Sequence, residues 1–383
     1  MISKREILQI IADQQDLGFS SNDLPRLTSN FSDNDITVIS GVRRCGKSTL
    51  LNEIRSKREE KDYYFNFDDD RLIHFEVDDF QTLYEVFLHQ FGKQITFYFD
   101  EIQNIKGWER FVRRLNDYNN KVFITGSNAS MLSRELGTHL TGRYDHQELF
   151  PFSFSEFLAF KNIAVPQKSF FNTGEKVEMH RNFLSYFQNG GFPAFLRTGK
   201  KQYLKTLFES IIYRDVMVRN SITNEKEILE LIHFLASNTS KLITYNSLTK
   251  IIGVKNATTV KNYLGFLENS YLLFAVNKFD YSLKKQILSP KKIYLIDLAL
   301  TREIGFHSSE DNGRLLENLV YIELKRRGKQ VYYHSQKHEC DFVMKEKNRI
   351  MEAIQVSWSV YDQTTREREL TGLLDALNTY DLQ

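Results

Sequence analysis

A glycine-rich segment that follows an apolar run constrains this chain more than any other feature. Residues 41–49 read GVRRCGKST and match the pattern G-x-x-x-x-G-K-[ST]. The run from Ile36 to Ile39 is typical of a strand, and residues 48–57 are typical of a helix. A loop in that setting wraps its backbone N–H groups around phosphates at the positive end of the helix dipole. The segment therefore predicts a nucleoside triphosphate site, in preference to an ordinary turn.

The chemistry of the loop residues assigns their roles. Lys47 supplies a cation for the β and γ phosphates, and the Ser48 hydroxyl is an expected ligand of Mg²⁺. The predicted nucleotide-binding residues are Gly41, Arg44, Cys45, Gly46, Lys47, Ser48 and Thr49.

Two adjacent acids supply the second half of such a site. Residues 95–101 read ITFYFDE, an apolar run that predicts a buried parallel strand and ends at Asp100 and Glu101. We expect Asp100 to hold Mg²⁺ and Glu101 to orient or deprotonate the attacking water.

A third strand, residues 121–128 (KVFITGSN), ends in small polar side chains. Thr125, Ser127 and Asn128 are candidates for sensing the γ phosphate, Asn128 first among them; the alternative is a simple turn. Arg143 follows a glycine downstream and can reach a γ phosphate of its own or a neighbouring subunit, or else lie on the surface. Arg113 and Arg114 are the runners-up for that role.

Composition limits the class of protein. A length of 383 residues suggests two or three domains, and only two cysteines exclude a disulfide framework and a cysteine-based zinc site. No apolar stretch is long enough for a membrane span, and the first 15 residues are too polar for a secretory signal, so we expect a cytoplasmic protein with no membrane partner. Those residues predict an amphipathic helix with Ile2, Ile7, Leu8 and Ile11 on its apolar face.

Charge is distributed unevenly along the chain. Residues 1–100 carry 12 basic and 18 acidic side chains, whereas residues 201–300 carry 14 and 8. A basic region can bind a polyanion such as DNA, or can simply be solvated.

Within that basic region, residues 228–275 predict a helix-turn-helix. A helix over residues 247–252 is followed by Gly253 and a second helix with Val260, Leu264 and Leu267 on one face. The outward-facing residues of the second helix are predicted to be Thr258, Thr259, Lys261 and Asn262. The same arrangement serves contacts with DNA and contacts with protein, so both partners stay open.

The last segment predicts a helix followed by three strands. Glu317 on the helix, Asp341 opening a strand and Gln355 on the last strand can form a metal site for cutting phosphodiesters. Such a site needs a second carboxylate and a lysine two residues apart on the last strand, where this chain has Gln355 and Ser357. Cleavage is therefore not the expected function.

Several segments together resemble the prokaryotic AAA-type P-loop ATPases with a C-terminal domain related to PD-(D/E)xK nucleases. They are GVRRCGKSTLL, FYFDEIQNIKGWERFVRRL, FITGSNASMLSRELGTHLTGRY, LFPFSFSEF, YFQNGGFPAF and the stretch from ENLVYIELKRRG to ECDFV. The resemblance implies ATP as the nucleotide with Mg²⁺, and it strengthens the assignments of Asn128 and Arg143.

The resemblance also implies a fold and its domains. We expect an α/β chain: a P-loop parallel sheet with helices on both faces in residues 1–150 and a helical region in 151–225. A winged-helix-like region in 226–300 and a nuclease-like α/β domain in 301–383 are expected to follow. Three functions remain open: an Mg²⁺-dependent ATPase coupled to domain rearrangement on DNA, a slow nucleotide-gated switch that binds a protein, and an ATP-controlled nuclease. A homo-oligomer is compatible with all three.

Overall fold

Five parallel strands organise the first part of the chain. They are β1 (Ile36–Ser40), β2 (Tyr64–Asn66), β3 (Thr96–Asp100), β4 (Lys121–Gly126) and β5 (Tyr144–Glu148). Their order across the sheet is β2-β3-β4-β1-β5, and each neighbouring pair is parallel. Every residue of β1, β3 and β4 is buried, as expected for parallel strands covered on both faces. The predicted α/β class with a parallel sheet is confirmed.

Within the described part of this unit, four helices flank the sheet: α1 (Lys4–Asp16), α2 (Lys47–Ser56), α3 (Asp79–Phe91) and α4 (Trp108–Asp117). Short 3₁₀ turns lie at Asp70–Leu72 and Ile102–Asn104. A core rich in phenylalanine joins α1, α3 and α4 to the strands. The apolar face of α1 consists of Ile7, Ile10 and Ile11, whereas Leu8, predicted on that face, is 40% exposed. Ile10 takes its place because positions 7, 10 and 11 follow the helical period.

The computed structural model describes residues 2–16, 26, 36–128, 144–165, 172–308 and 311–382. The chain divides into two compact units, residues 1–149 and residues 150–383. Within the second unit, the division into regions 151–225, 226–300 and 301–383 stays a prediction. In these described ranges, no helix combines the length and apolar character that a membrane span requires.

The second unit begins with helices. They are α5 (Phe154–Phe160), α6 (Thr173–Asn189), α7 (Pro193–Thr198), α8 (Lys201–Ser210), a π-helical stretch (Ile211–Val218) and α9 (Glu225–Ser237). α5 and α6 both start with a capping box, in which a Ser153 or Asn172 side chain and a glutamate satisfy backbone N–H groups reciprocally. These caps fix where the two helices begin.

A small antiparallel sheet and three helices come next. The elements are β6 (Leu242–Ile243), α10 (Tyr245–Ile251), α11 (Ala257–Asn269), β7 (Leu273–Asn277), α12 (Leu283–Leu288) and β8 (Lys291–Leu295). The strand order is β6-β8-β7, with β8 antiparallel to both neighbours. Val260, Leu264 and Leu267 of α11 are buried, as their spacing predicts.

The final segment contains a second small sheet between helices. Its elements are α13 (Leu298–Ile304), α14 (Asn312–Arg326), β9 (Gln330–Ser335), β10 (Glu339–Glu346), β11 (Arg349–Ile354) and α15 (Gln363–Tyr380). The sheet order is β11-β10-β9, and both pairings are antiparallel. β11 ends at Ile354, so Gln355 and Ser357 follow the last strand and do not lie on it, in contrast to the prediction.

Candidate functional site

The strand order brings the sequence motifs to one edge of the first sheet. β4 lies between β1, which leads into the glycine-rich loop, and β3, which ends at Asp100. Parallel strands present their carboxyl ends at the same edge, which is where nucleotides bind in open α/β sheets. The loop, the acidic pair and the polar residues after β4 therefore meet in one place.

The loop has a backbone conformation that depends on glycine. Gly41 has φ +153°, and a Cβ atom there would lie 2.1 Å from the carbonyl oxygen of Leu149. Gly46, with φ +105°, directly precedes α2. Arg44 also has a positive φ, of 62°, and a residue in this region is part of the turns that form anion-binding nests. The loop thus has the form of an anion-binding nest in front of a helix N-terminus.

Lys47 is buried at the centre of the site. Its Nζ lies 3.2 Å from the Gly41 carbonyl oxygen, 3.4 Å from that of Val42 and 3.3 Å from Glu101 Oε1. Burial alone would lower the pKa of Lys47, but the negative charge of Glu101 and other nearby acidic groups outweighs it and raises the pKa. The ammonium is therefore charged and is held where a phosphate can replace its present partners.

Asp100 is fully buried and is held by neighbouring hydroxyl groups. Thr125 Oγ1 donates a hydrogen bond to Oδ1, Tyr64 donates to Oδ2 at 3.4 Å, and the Ser48 hydroxyl also bonds the carboxylate. Burial, together with the charge of Glu101, raises the pKa of Asp100. The Ser48–Asp100 contact places the two predicted Mg²⁺ ligands side by side, so these residues fit the metal that a P-loop site uses.

Glu101 has an unusual backbone conformation, with φ 51° and ψ 39°. Its N–H donates to Thr125 Oγ1 at 2.9 Å, and its Oε2 accepts from Gln103 Nε2 at 2.5 Å. Burial would raise the pKa of Glu101, but the Lys47 charge outweighs this and lowers it. Glu101 is therefore ionised, as a residue that accepts a proton from water must be.

Two residues, Thr125 and Gln103, hold this acidic pair. Thr125 bonds both Asp100 and Glu101, so its hydroxyl positions the two acids; a role of Thr125 in sensing the γ phosphate stays a prediction. Gln103 is 4% exposed; among the described residues its Oε1 has no hydrogen-bond partner, while its Nε2 reaches Glu101 and, at 3.5 Å, Ser127 Oγ. Gln103 lies in the segment FYFDEIQNIKGWERFVRRL, but the sequence analysis assigns it no role of its own.

The other predicted residues of this site have diverse positions. Asn128 is buried at the end of β4, Cys45 is buried in the loop, and Ser48 and Arg44 are exposed. Thr49 is partly buried on α2. Arg143 lies outside the described residues.

The two alternative arginines lie on α4 and have partners there. Arg113 is exposed and lies 3.7 Å from Asp117, and Arg114 donates to Gln81 Oε1 at 2.9 Å. Neither contact is with a residue of the phosphate loop.

A second candidate site lies in the second unit. Glu317, Asp341 and Gln355 line one polar cavity of about 810 Å³, as the prediction of a shared site requires. Lys292, which the sequence reasoning did not include, is 2% exposed and lies between the first two: its Nζ is 3.0 Å from Glu317 Oε1 and 3.0 Å from Asp341 Oδ1. Lys292 is 25 residues from Glu317 and 49 from Asp341, so no local spacing could reveal it.

The acids of this second site are strongly affected by burial. Burial raises the pKa of Glu317 to about 7 and also raises the pKa of Asp341. The pKa of Lys292 is raised, because the three carboxylates around it outweigh the effect of its own burial.

Comparisons with known proteins agree with the first site. Residues 33–158 match a family described as an AAA domain, and residues 180–310 match a domain of unknown function. The Thermotoga maritima RuvB Holliday junction branch migration motor aligns over 71% of this chain and 89% of its own, with 13% identity and a TM-score of 0.30, a likeness too low to carry an argument.

Two relatives are much more similar in sequence. The uncharacterized protein MJ1544 of Methanocaldococcus jannaschii is 36% identical over 91% of this chain and 80% of its own length. An uncharacterized protein of Haemophilus influenzae is 31% identical over 90% of this chain and 88% of its own. With the phosphate loop, acidic strand and parallel sheet in place, the chain belongs to the family of these two proteins and carries an AAA-type P-loop ATPase domain.

Proposed function

We propose that the chain is an Mg²⁺-dependent ATPase that couples hydrolysis to a rearrangement of its domains on DNA. The observation that carries the proposal is the convergence of Lys47, Ser48, Asp100 and Glu101 at one sheet edge. These groups supply a phosphate cation, two metal ligands and a base, which are the parts that phosphoryl transfer to water needs.

The chain's own residues divide the work. The loop N–H groups and Lys47 bind the phosphates, and Ser48 and Asp100 would hold Mg²⁺, which neutralises the charge that develops on the phosphoryl oxygens. Glu101 holds and deprotonates the attacking water, with Gln103 fixing its carboxylate. When ATP binds, the ion pair between Lys47 and Glu101 breaks and Lys47 pairs with a phosphate. The Glu101 carboxylate is then available to accept a hydrogen bond from the attacking water.

DNA is the partner that the second unit supports best. The order of elements from α9 to β8, with β6 before the helices α10 and α11 and with β7 and β8 after them, is compatible with a winged helix. Thr258, Lys261 and Asn262 of α11 are exposed, and Thr259 is partly buried. The 14 basic against 8 acidic side chains of residues 201–300 favour a polyanion.

The first test compares ATP hydrolysis by the native chain, Glu101→Gln and Glu85→Gln, which alters an exposed acid of the same unit. Glu101→Gln should lose roughly 10²- to 10⁴-fold in turnover while retaining binding of a fluorescent ATP analogue. Glu85→Gln should match the native chain. Equal turnover in Glu101→Gln would reject the role of Glu101.

The second test adds double-stranded DNA. Stimulated turnover that weakens in Lys261→Ala, but not in Lys226→Ala on α9, would support the DNA-coupled function. Tight ATP binding with negligible turnover, unchanged by DNA, would favour the alternative of a nucleotide-gated switch for a protein partner. The exposed face of α11 also suits that alternative, since helix-turn-helix units serve protein contacts as well.

A further inference from the structure

The C-terminal cavity contains a cation that belongs to the chain itself. Three carboxylates surround Lys292 Nζ: Glu317 at 3.0 Å, Glu339 at 2.7 Å and Asp341 at 3.0 Å. An ammonium has three N–H donors. All three therefore have a carboxylate within reach, and the group lies where the acids would otherwise converge on a metal ion.

The carboxylate oxygens have further partners as well. Tyr294 donates to Glu317 Oε1 at 2.7 Å, and the N–H of Val356 donates to Asp341 Oδ2 at 3.0 Å. A divalent metal would require oxygen ligands about 2.0–2.6 Å away. It would have to displace these donors and the ammonium, whose positive charge repels it.

The third residue of the predicted metal site is also unsuitable. Gln355 Oε1 accepts from the Asp341 N–H at 3.2 Å, and its Nε2 donates to Glu369. Gln355 thus brings no negative charge and is tied to the protein at both ends of its amide. Nowhere in the described ranges are three His, Cys, Asp or Glu side chains arranged to hold a metal ion. The residues do not fit the metal that a nuclease-like domain implies.

We propose that Lys292 replaces the divalent metal of this site, so that the native cavity does not bind Mg²⁺ or Mn²⁺ and the domain does not cut phosphodiesters by a metal-dependent route. The ammonium balances part of the charge of Glu317, Glu339 and Asp341 and holds the three acids together. This proposal does not depend on the ATPase proposal, because it concerns residues of the second unit only.

The neighbouring residue provides a matched control. Lys291, on the same strand β8, is also buried, but its Nζ donates to the carbonyl oxygens of Gln286 and Ile287, at 2.6 and 3.2 Å. Lys291→Ala removes a buried lysine without removing the cation of the acid cluster. Any effect specific to the cluster should appear in Lys292→Ala alone.

The experiment measures Mn²⁺ binding to the full, nucleotide-free chain by titration calorimetry and by the electron paramagnetic resonance of free Mn²⁺. The native chain, Lys291→Ala and Asp341→Asn should give the same isotherm. Lys292→Ala should gain one site, at least about tenfold tighter than any in the native chain, and Lys292→Ala/Asp341→Asn should lose it. A native site that Asp341→Asn abolishes would overturn the proposal, as would a folded Lys292→Ala chain that gains none.

A second measurement covers the case in which Lys292→Ala does not fold. The chain has two tryptophans, and Trp358 lines the cavity while Trp108 lies in the first unit. With fluorotryptophan incorporated into the native chain, the linewidth of the Trp358 ¹⁹F signal should be the same in the presence of paramagnetic Mn²⁺ as in the presence of diamagnetic Mg²⁺. Broadening of that signal in the native chain, reversed by Asp341→Asn, would show a metal in the cavity and refute the proposal.

Discussion

Removal of the Thr125 hydroxyl should destabilise the first unit and misplace both Asp100 and Glu101. Thr125 is fully buried, and its Oγ1 donates to Asp100 and accepts from the Glu101 N–H at 2.9 Å. Thr125→Val keeps the size of the side chain but leaves a buried carboxylate oxygen and a buried N–H without this partner. Thr125→Ser keeps the hydroxyl and loses a methyl group.

The expected magnitude follows from these two bonds. An unpaired amide costs about 1 kcal/mol and a bond to a charged group about 2 kcal/mol, so Thr125→Val should lower the free energy of unfolding by about 3 kcal/mol. Thr125→Ser should lower it by about 1 kcal/mol, the value of one buried methyl group. With a urea dependence of about 2 kcal/mol per molar, the unfolding midpoints should fall by roughly 1.5 M and roughly 0.5 M.

The assay is urea unfolding followed by tryptophan fluorescence in a Trp358→Phe background. Trp108, which is fully buried, then reports on the first unit alone. Turnover should fall with Thr125→Val far more than with Thr125→Ser, because only the former loses the bonds to Asp100 and Glu101. Equal midpoints for the two variants would refute the reasoning, since the hydroxyl would then contribute nothing.

Three further predictions follow from the two sites. Gln103→Leu should lower kcat without changing the affinity for ATP, because Gln103 touches the acid that activates water and no loop residue; steady-state kinetics and nucleotide titration distinguish the two. Gly41→Ala should abolish nucleotide binding, since its Cβ would meet a backbone carbonyl at 2.1 Å. Gly92→Ala has open space around the new Cβ but a backbone conformation (φ 71°, ψ −172°) that disfavours side chains, so it should keep nucleotide binding and cost about 1–3 kcal/mol of stability in urea unfolding. Cys45 and Cys340 should resist alkylation by iodoacetamide in the native chain at pH 8 and should react in urea. The reason is that burial raises the pKa of both thiols, that of Cys340 to about 12. Rapid alkylation of the native chain would contradict this prediction.

The sequence was sufficient to predict the nucleotide site because local pattern and chemistry coincide there. The loop from Gly41 to Ser48 has a mechanism tied to its spacing, and predominantly apolar runs predict the buried strands β1, β3 and β4. Strand β5 escaped prediction because its sequence, YDHQE, is polar and it pairs only with β1 at the edge of the sheet. An edge strand needs little apolar surface, so periodicity does not reveal it.

Contacts between residues far apart in the sequence could not be predicted. The bonds from Thr125 to the acidic pair depend on β4 lying beside β3, which only the strand order fixes. Lys292 follows Lys291 at the start of β8 and looks like a solvated charge, yet it is 2% exposed. A buried lysine becomes recognisable only when its partners, from α14 and β10, are in place.

The ammonium among three carboxylates also restricts how this chain can change by single substitutions. Loss of Lys292 leaves the buried Glu317 and Asp341, and the exposed Glu339 beside them, without their cation; breaking a buried ion pair in this way typically costs about 3–5 kcal/mol. A carboxylate introduced at Gln355 while Lys292 is present would add a further acid to a cavity that Glu317, Glu339, Asp341 and Glu369 already line, without opening room for a metal. Loss of Lys292 and gain of a carboxylate at Gln355 are therefore coupled substitutions. Whichever of the two occurs first, the chain with that single substitution is less stable than the native chain.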